Sequence, residues 1–198
     1  MQNYNSKLKI NKDFNIVIMG VGGQGLITLL QILAEAAIIE GYDVKTSELH
    51  GLSQRGGSVE VHIRFGQKIF SPIVSKGKGD LILGLELQEV LRGFYFANEK
   101  TKFLINDYFS AIPGANFKKE MALEILKKLK ENLILIEASK ICQEKLQKEV
   151  LAGIYLISLA SFKKLIPLKL ESILKAIKKI IPAKYLELNL KAFELAKS

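Results

Sequence analysis

The hexapeptide Gly20-Val-Gly-Gly-Gln-Gly25 places four glycines between an apolar run at residues 14–19 and an apolar-periodic segment at residues 26–39, the body of a helix expected over residues 24–40. Strand, glycine turn and helix in that order let a backbone cradle a phosphate. The turn's N–H groups point outward and the helix N-terminus carries partial positive charge. Gly20, Gly22 and Gly25 satisfy G-x-G-x-x-G in the context that the pattern requires, after a strand and opening a helix. Leu26, Leu29, Leu30, Leu33 and Ala37 mark the helix's apolar face, and Gly41 ends it. Residues 42–48 read as a second strand. A strand–helix–strand unit with short connections predicts that the two strands run parallel. Glu48 then stands near the place of the acid that binds ribose in dinucleotide folds. A nicotinamide or flavin site is the first reading. The alternative is that the glycines serve only close helix–sheet packing.

A second glycine-rich stretch follows. His50, Ser53, Gln54 and Arg55 lie between Gly51 and Gly56-Gly57, and Ser58 opens the next segment. A ribose-binding acid needs none of this, so the stretch argues against a simple nicotinamide site. Arg55 can pair bidentately with phosphate or carboxylate, or with a surface acid. His50 can titrate near neutral pH or cap a turn, and the turn cap is preferred. From Ser58 to Phe65 polar and apolar residues alternate. Val59, Val61, Ile63 and Phe65 face one way, and Ser58, Glu60, His62 and Arg64 the other. That predicts a half-exposed strand with His62 toward solvent. Gly66-Gln67 then reads as a tight turn into residues 68–70, forming an antiparallel hairpin.

Beyond the hairpin, strands are expected at residues 80–84, 102–106 and 133–137. Helices are expected at residues 88–98 and 117–130, with a turn at 112–114. From residue 140 every segment reads as helix: 140–148, 150–164, 170–180 and 182–197. The predicted fold is α/β: a Rossmann-like, doubly wound, mostly parallel sheet with an inserted antiparallel hairpin and a helical C-terminal region. Residues 1–12 are expected to form a flexible arm, and residues 13–198 one domain.

Composition narrows the chemistry. The chain has a single cysteine, Cys142. One thiol can neither build a disulfide framework nor hold an iron–sulfur cluster, which takes about four thiolates. A reducing cytoplasm fits. The uncharged run at residues 150–162 is short of the ~18 residues of a membrane span and reads as a buried helix. The polar N-terminal stretch lacks a signal peptide's apolar centre. Net charge is +9, yet no arginine-rich or aromatic-interleaved patch points to nucleic acid. The lysines are read as a solvated surface. No nucleophile elbow, metal-ligand spacing or positioned carboxylate pair is present, so the chain lacks a complete active site of its own.

Gly20-Val-Gly-Gly-Gln-Gly25, Ser47-Glu-Leu-His50-Gly-Leu-Ser53-Gln-Arg55-Gly-Gly-Ser58-Val59 and His62-Ile-Arg-Phe-Gly66 together resemble the gamma-type domain of the 2-oxoacid:ferredoxin oxidoreductases. The histidine and glutamine of the second stretch favour the branch of beta subunits that serve indolepyruvate and other arylpyruvates. Ser71-Pro72, Asp80-Leu-Ile-Leu-Gly84 and Asn189-Leu-Lys-Ala-Phe-Glu-Leu195 extend the resemblance over nearly the whole chain.

The resemblance implies oxidative decarboxylation of an aryl 2-oxoacid with coenzyme A as substrate and ferredoxin as electron acceptor. Thiamine diphosphate, magnesium and [4Fe-4S] clusters would belong to a large alpha subunit, and this chain alone would bind none of them and be inactive. It places Gly20, Gly22, Gly23, Gln24 and Gly25 in a first ligand- or partner-facing loop. Arg55, Gly56, Gly57 and Ser58 form a second, with Glu48, Ser53 and Gln54 beside it. Arg55, and after it His50, are the candidates for a direct part in the reaction. Arg55 would touch the coenzyme A phosphates, the substrate carboxylate or the alpha subunit. Two other readings stand beside this one: a self-sufficient dinucleotide-binding oxidoreductase, and a purely structural assembly subunit.

Overall fold

A computed structural model describes residues 12–51, 56–111, 114 and 116–197. Six strands form one sheet: β1 (Phe14–Val21), β2 (Asp43–His50), β3 (Ser58–Gly66), β4 (Leu81–Gly84), β5 (Lys102–Asn106) and β6 (Leu133–Ile136). Their order is β2-β3-β1-β4-β5-β6. The pairings β1–β4, β4–β5 and β5–β6 are parallel, while β3 is antiparallel to both of its neighbours. The helices are α1 (Leu26–Ile39), α2 (Leu87–Val90), α3 (Lys119–Lys127), α4 (Ala138–Leu146), α5 (Ala152–Phe162), α6 (Leu170–Ile180) and α7 (Ala183–Leu195). The mixed sheet, inserted antiparallel element and helical C-terminal region agree with the fold read from the sequence.

Two details are corrected. First, β2 runs in the same direction as β1 but does not touch it, because β3 lies between them. Lys45, Thr46, Ser47 and Glu48 explain the placement. Such a run is costly inside a sheet and tolerable at its edge, and β2 is mostly exposed. β3 supplies Val61, Ile63 and Phe65, all fully buried, and takes the inner position. Second, the hairpin is built from β2 and β3, in register from Asp43↔Gly66 to His50↔Val59. Residues 68–70 form no strand. The Ile69 N–H instead donates to the Asp43 carboxylate at 2.8 Å, which folds the chain around the end of β2. The predicted helix at residues 88–98 is α2 running on into a 3-10 turn at Leu91–Tyr95.

Side chains alternate between two cores, as the strand pleat requires. Ile16, Ile18, Leu83 and Leu104 face a core shared with α1 and the C-terminal helices. Val17, Met19, Ile82, Phe103 and Ile105 face a smaller core that also holds Ala122 and Leu126 of α3. α5 is buried from Ala152 to Ser161, as its uncharged sequence predicts. No helix among the described residues is long and apolar enough to cross a membrane. The 1–12 arm lies outside the described residues except for Lys12, and so does most of the predicted 112–114 turn.

The polar face of β3 is also corrected. His62 is fully buried and Glu60 nearly so. Alternation predicts which residues share a face but not whether another layer covers it. Here Phe96, just past the 3-10 turn, packs edge-on against His62, with ring centroids 5.1 Å apart.

Candidate functional site

The two glycine loops meet. The Gly22 N–H donates to the Gly57 carbonyl at 2.8 Å, and the Gly56 N–H donates back to the Gly22 carbonyl at 3.2 Å. Both loops therefore form one backbone clasp at the end of the sheet where β1 stops and β3 begins. The β2–β3 hairpin places them there, since Val21 pairs with Ser58 and His50 with Val59.

Gln24 holds the first loop to the sheet. Its Oε1 accepts from the Val21 N–H at 2.9 Å, and its Nε2 donates to the Leu85 carbonyl at 3.1 Å. The same carbonyl accepts from Asn106 Nδ2, and Asn106 is fully buried. Asn106 also bonds Ser139 at both its backbone N–H and its hydroxyl, which ties the first loop to α4. Gln24 is thus a structural clamp beside the site, and Asn106 and Ser139 are supports that the motif search missed. Their signal in the sequence is faint: a polar residue just past an apolar strand.

Gly25 is the residue before α1 and has φ 79°, a left-handed conformation that favours glycine, with no side chain capping the helix. The first-turn N–H groups of α1 have no carbonyl within the helix to satisfy them. Beside this helix start lies a hollow of about 410 Å³ lined by Gly22, Gly23, Gly25, Leu26, Ile27, His50 and Val59. Among the described lining residues there is no lysine or arginine, so an anion there would meet backbone N–H groups and His50. The structure brings His50 to the first loop, exposed. Ser53, Gln54 and Arg55 lie outside the described residues.

Glu48 does not take the ribose-binding position. It is exposed on β2, two strand spacings from β1, or about 9–10 Å. A dinucleotide fold needs that acid on the strand next to β1. Ser58 is turned the other way, toward Glu89 and Arg92. Cys142 is buried, and desolvation pushes its thiol up to about 11. It is an inert core residue, and one such thiol does not fit an iron–sulfur cluster.

Glu86, at the end of β4, is buried, and its carboxylate accepts from the N–H groups of Glu89 (2.8 Å) and Ser110 (3.0 Å). Burial raises its pKa above 4.5, against the lowering effect of those N–H groups. A carboxyl with a raised folded-state pKa contributes stability below its unfolded pKa and loses it as pH rises through the folded value. Wild-type stability is therefore expected to fall relative to Glu86→Gln as pH rises from about 4.5. Unfolding midpoints of both proteins across that range are the check, and parallel curves would contradict the assignment.

The fold is that of the gamma subunits of oxoacid oxidoreductases. The keto/oxoacid ferredoxin oxidoreductase gamma subunit of Geobacter sulfurreducens superposes with TM-score 0.67 at 23% identity, over 92% of this chain and 95% of that one. The 2-oxoglutarate:ferredoxin oxidoreductase of Magnetococcus marinus, solved with 2-oxoglutarate, coenzyme A and succinyl-CoA, gives 0.69 at 20% identity. That match covers 95% of this chain but 32% of the other. Residues 15–198 match the pyruvate ferredoxin/flavodoxin oxidoreductase family model, and the chain belongs to that family. Among its relatives are the indolepyruvate oxidoreductase subunits IorB of Thermococcus kodakarensis and Archaeoglobus fulgidus. They are 36% and 34% identical, over 93% and 91% of this chain and 94% and 92% of theirs. The common gamma subunit of the pyruvate/ketoisovalerate oxidoreductases of Pyrococcus abyssi is 31% identical, over 87% of this chain and 89% of its own length. The chain is a small subunit of a 2-oxoacid:ferredoxin oxidoreductase.

Proposed function

We propose that this subunit serves an indolepyruvate-type enzyme. An aryl 2-oxoacid and coenzyme A become an arylacetyl-CoA and carbon dioxide, and the electron pair passes to ferredoxin. The observation that carries the reading is the Gly22–Gly57 and Gly56–Gly22 clasp, which makes one backbone-lined hollow from two sequence-distant loops. The relatives' names support the substrate class.

In this reading the partner is a large alpha subunit. Thiamine diphosphate, magnesium and [4Fe-4S] clusters held on it supply the carbanion and electron-transfer chemistry when bound. This chain supplies a wall. The first-turn N–H groups of α1, with Gly23 beside them, receive an anionic part of coenzyme A. Arg55 pairs with phosphate or carboxylate across its planar fork. His50 and Ile27 close the side of the hollow and limit water. A reducing cytoplasm suits a chain with one buried thiol.

The test is reconstitution. Arylpyruvate- and coenzyme A-dependent dye reduction is expected only when both subunits are present, and full activity of the large subunit alone would sink the proposal. In the complex, Arg55→Ala is expected to raise KM for coenzyme A by about tenfold, the equivalent of one charge-assisted contact. Normal assembly with unchanged turnover and coenzyme A affinity would favour a purely structural subunit. Micromolar binding of NAD, NADP or a flavin would revive the stand-alone reading, which the position of Glu48 disfavours.

A further inference from the structure

Gly56 and Gly57 make the clasp through their backbone and have no side chains to hold them to any other layer of the fold. The residue that follows does. The Ser58 hydroxyl donates to Glu89 Oε2 and accepts from Arg92 Nη1. Arg92 Nη1 also reaches Glu89 Oε2 at 3.1 Å, while Nη2 reaches Glu60 Oε2 at 3.2 Å. The chain of contacts then goes inward. Glu60 Oε1 lies 2.9 Å from His62 Nε2, and His62 Nδ1 accepts from the Val74 N–H at 3.3 Å. Because Nδ1 accepts, Nε2 carries the proton and donates to Glu60.

We propose that Arg92 is a positioning residue for the second glycine loop: its guanidinium joins Ser58 to the buried Glu60–His62 pair and thereby holds the Gly22–Gly57 clasp in register. The geometry sets this apart from ligand binding. Glu60 and Glu89 outnumber Arg92 in charge, and its nitrogens already face three acceptors, so the group is a poor anion receptor. The arrangement also needs arginine. A guanidinium fork reaches Ser58, Glu89 and Glu60 from one plane, which a lysine ammonium on a flexible stem cannot reproduce. Arg92 stands on the 3-10 turn that follows α2, so the tether links that layer to the start of β3.

The consequence for coenzyme A rests on the function proposed above, and the experiment separates the two. In the complex with the large subunit, Arg92→Gln is expected to accelerate amide hydrogen exchange by at least about tenfold in peptides covering residues 20–25 and 56–58, the loss of one net charged hydrogen bond. Peptides from α6 and α7 should exchange as in wild type. KM for coenzyme A should rise about tenfold with kcat little changed, the pattern of lost binding rather than lost chemistry. Arg92→Lys should recover only part of either effect. Unchanged exchange in both loops would overturn the proposal, and so would full recovery by lysine. Faster exchange with an unaltered KM for coenzyme A would keep the tether and refute the coenzyme A reading. If Arg92→Gln does not assemble, Glu89→Gln removes charge from the same junction while preserving shape, and the same readouts apply.

Discussion

Replacing Phe65 by alanine is expected to cost this chain about 3–5 kcal/mol, the range for deleting a fully buried aromatic ring. Phe65 has no exposed surface. It stands on the inserted strand opposite Phe14 on one side and Val44 on the other. Its ring centroid lies 5.4 Å from that of Phe14 and 5.6 Å from that of Tyr42, both tilted. One side chain thus joins β1, β3 and the start of β2. For a chain of this length the thermal midpoint should fall by roughly 6–20 °C. Phe70→Ala is the control. Phe70 is 83% exposed, and its loss should stay within about 0.5 kcal/mol. Similar small effects at both positions would mean that β3 is not anchored as described.

The second large effect is expected at Gly84, in β4, which packs directly against Val90 of α2. A Cβ there would lie 2.6 Å from Val90 Cγ2, 2.8 Å from Val90 Cβ and 3.3 Å from Ile105 Cγ2. Val90 cannot rotate away cheaply, since its Cβ is itself in contact and its N–H is bonded to the Glu86 carbonyl at 3.1 Å. Gly84→Val must push α2 outward, at about 3 kcal/mol for an overpacked core. The midpoint should drop by roughly 6–12 °C. α2 carries Glu89, so the same displacement loosens Ser58, and in the assembled enzyme coenzyme A-dependent turnover should fall along with stability. A valine variant as stable as wild type would show that α2 is free to move.

The parallel strands were legible because their signals are local. Residues 81–84, 102–106 and 133–136 are short, mostly apolar runs, and such a run is recognised without its partner whether it is buried throughout, as β4 is, or half-buried at the sheet's edge, as β6 is. The first glycine loop was legible for the same reason, being strand, turn and helix in continuous sequence. The position of β3 was not. Val59, Val61, Ile63 and Phe65 announce a strand, but the choice between pairing with residues 68–70 and pairing with β2 depends on which arrangement satisfies more backbone groups. The Asp43–Ile69 contact that decides it links residues 26 apart. The fate of His62 and Glu60 was hidden for a related reason. A polar face looks the same in sequence whether water or another layer covers it, and the covering residues, Arg92 and Phe96, come some 30 positions later. At the site, the placing of His50 beside the first loop follows from the β2–β3 register, which no motif spells out. Glu48 was misplaced because its position was inferred from a two-strand unit that β3 interrupts.

That interruption also bears on how the protein is made. β2 and β3 can zip together from neighbouring sequence, but Gly57 finds Gly22 only when the finished hairpin docks along β1. The hollow beside the first loop is therefore incomplete in a chain whose hairpin is still detached. Before docking, the β1–α1 segment carries its share of the lining without the wall that His50 and Val59 supply, so closure of the hollow and completion of the sheet are one event.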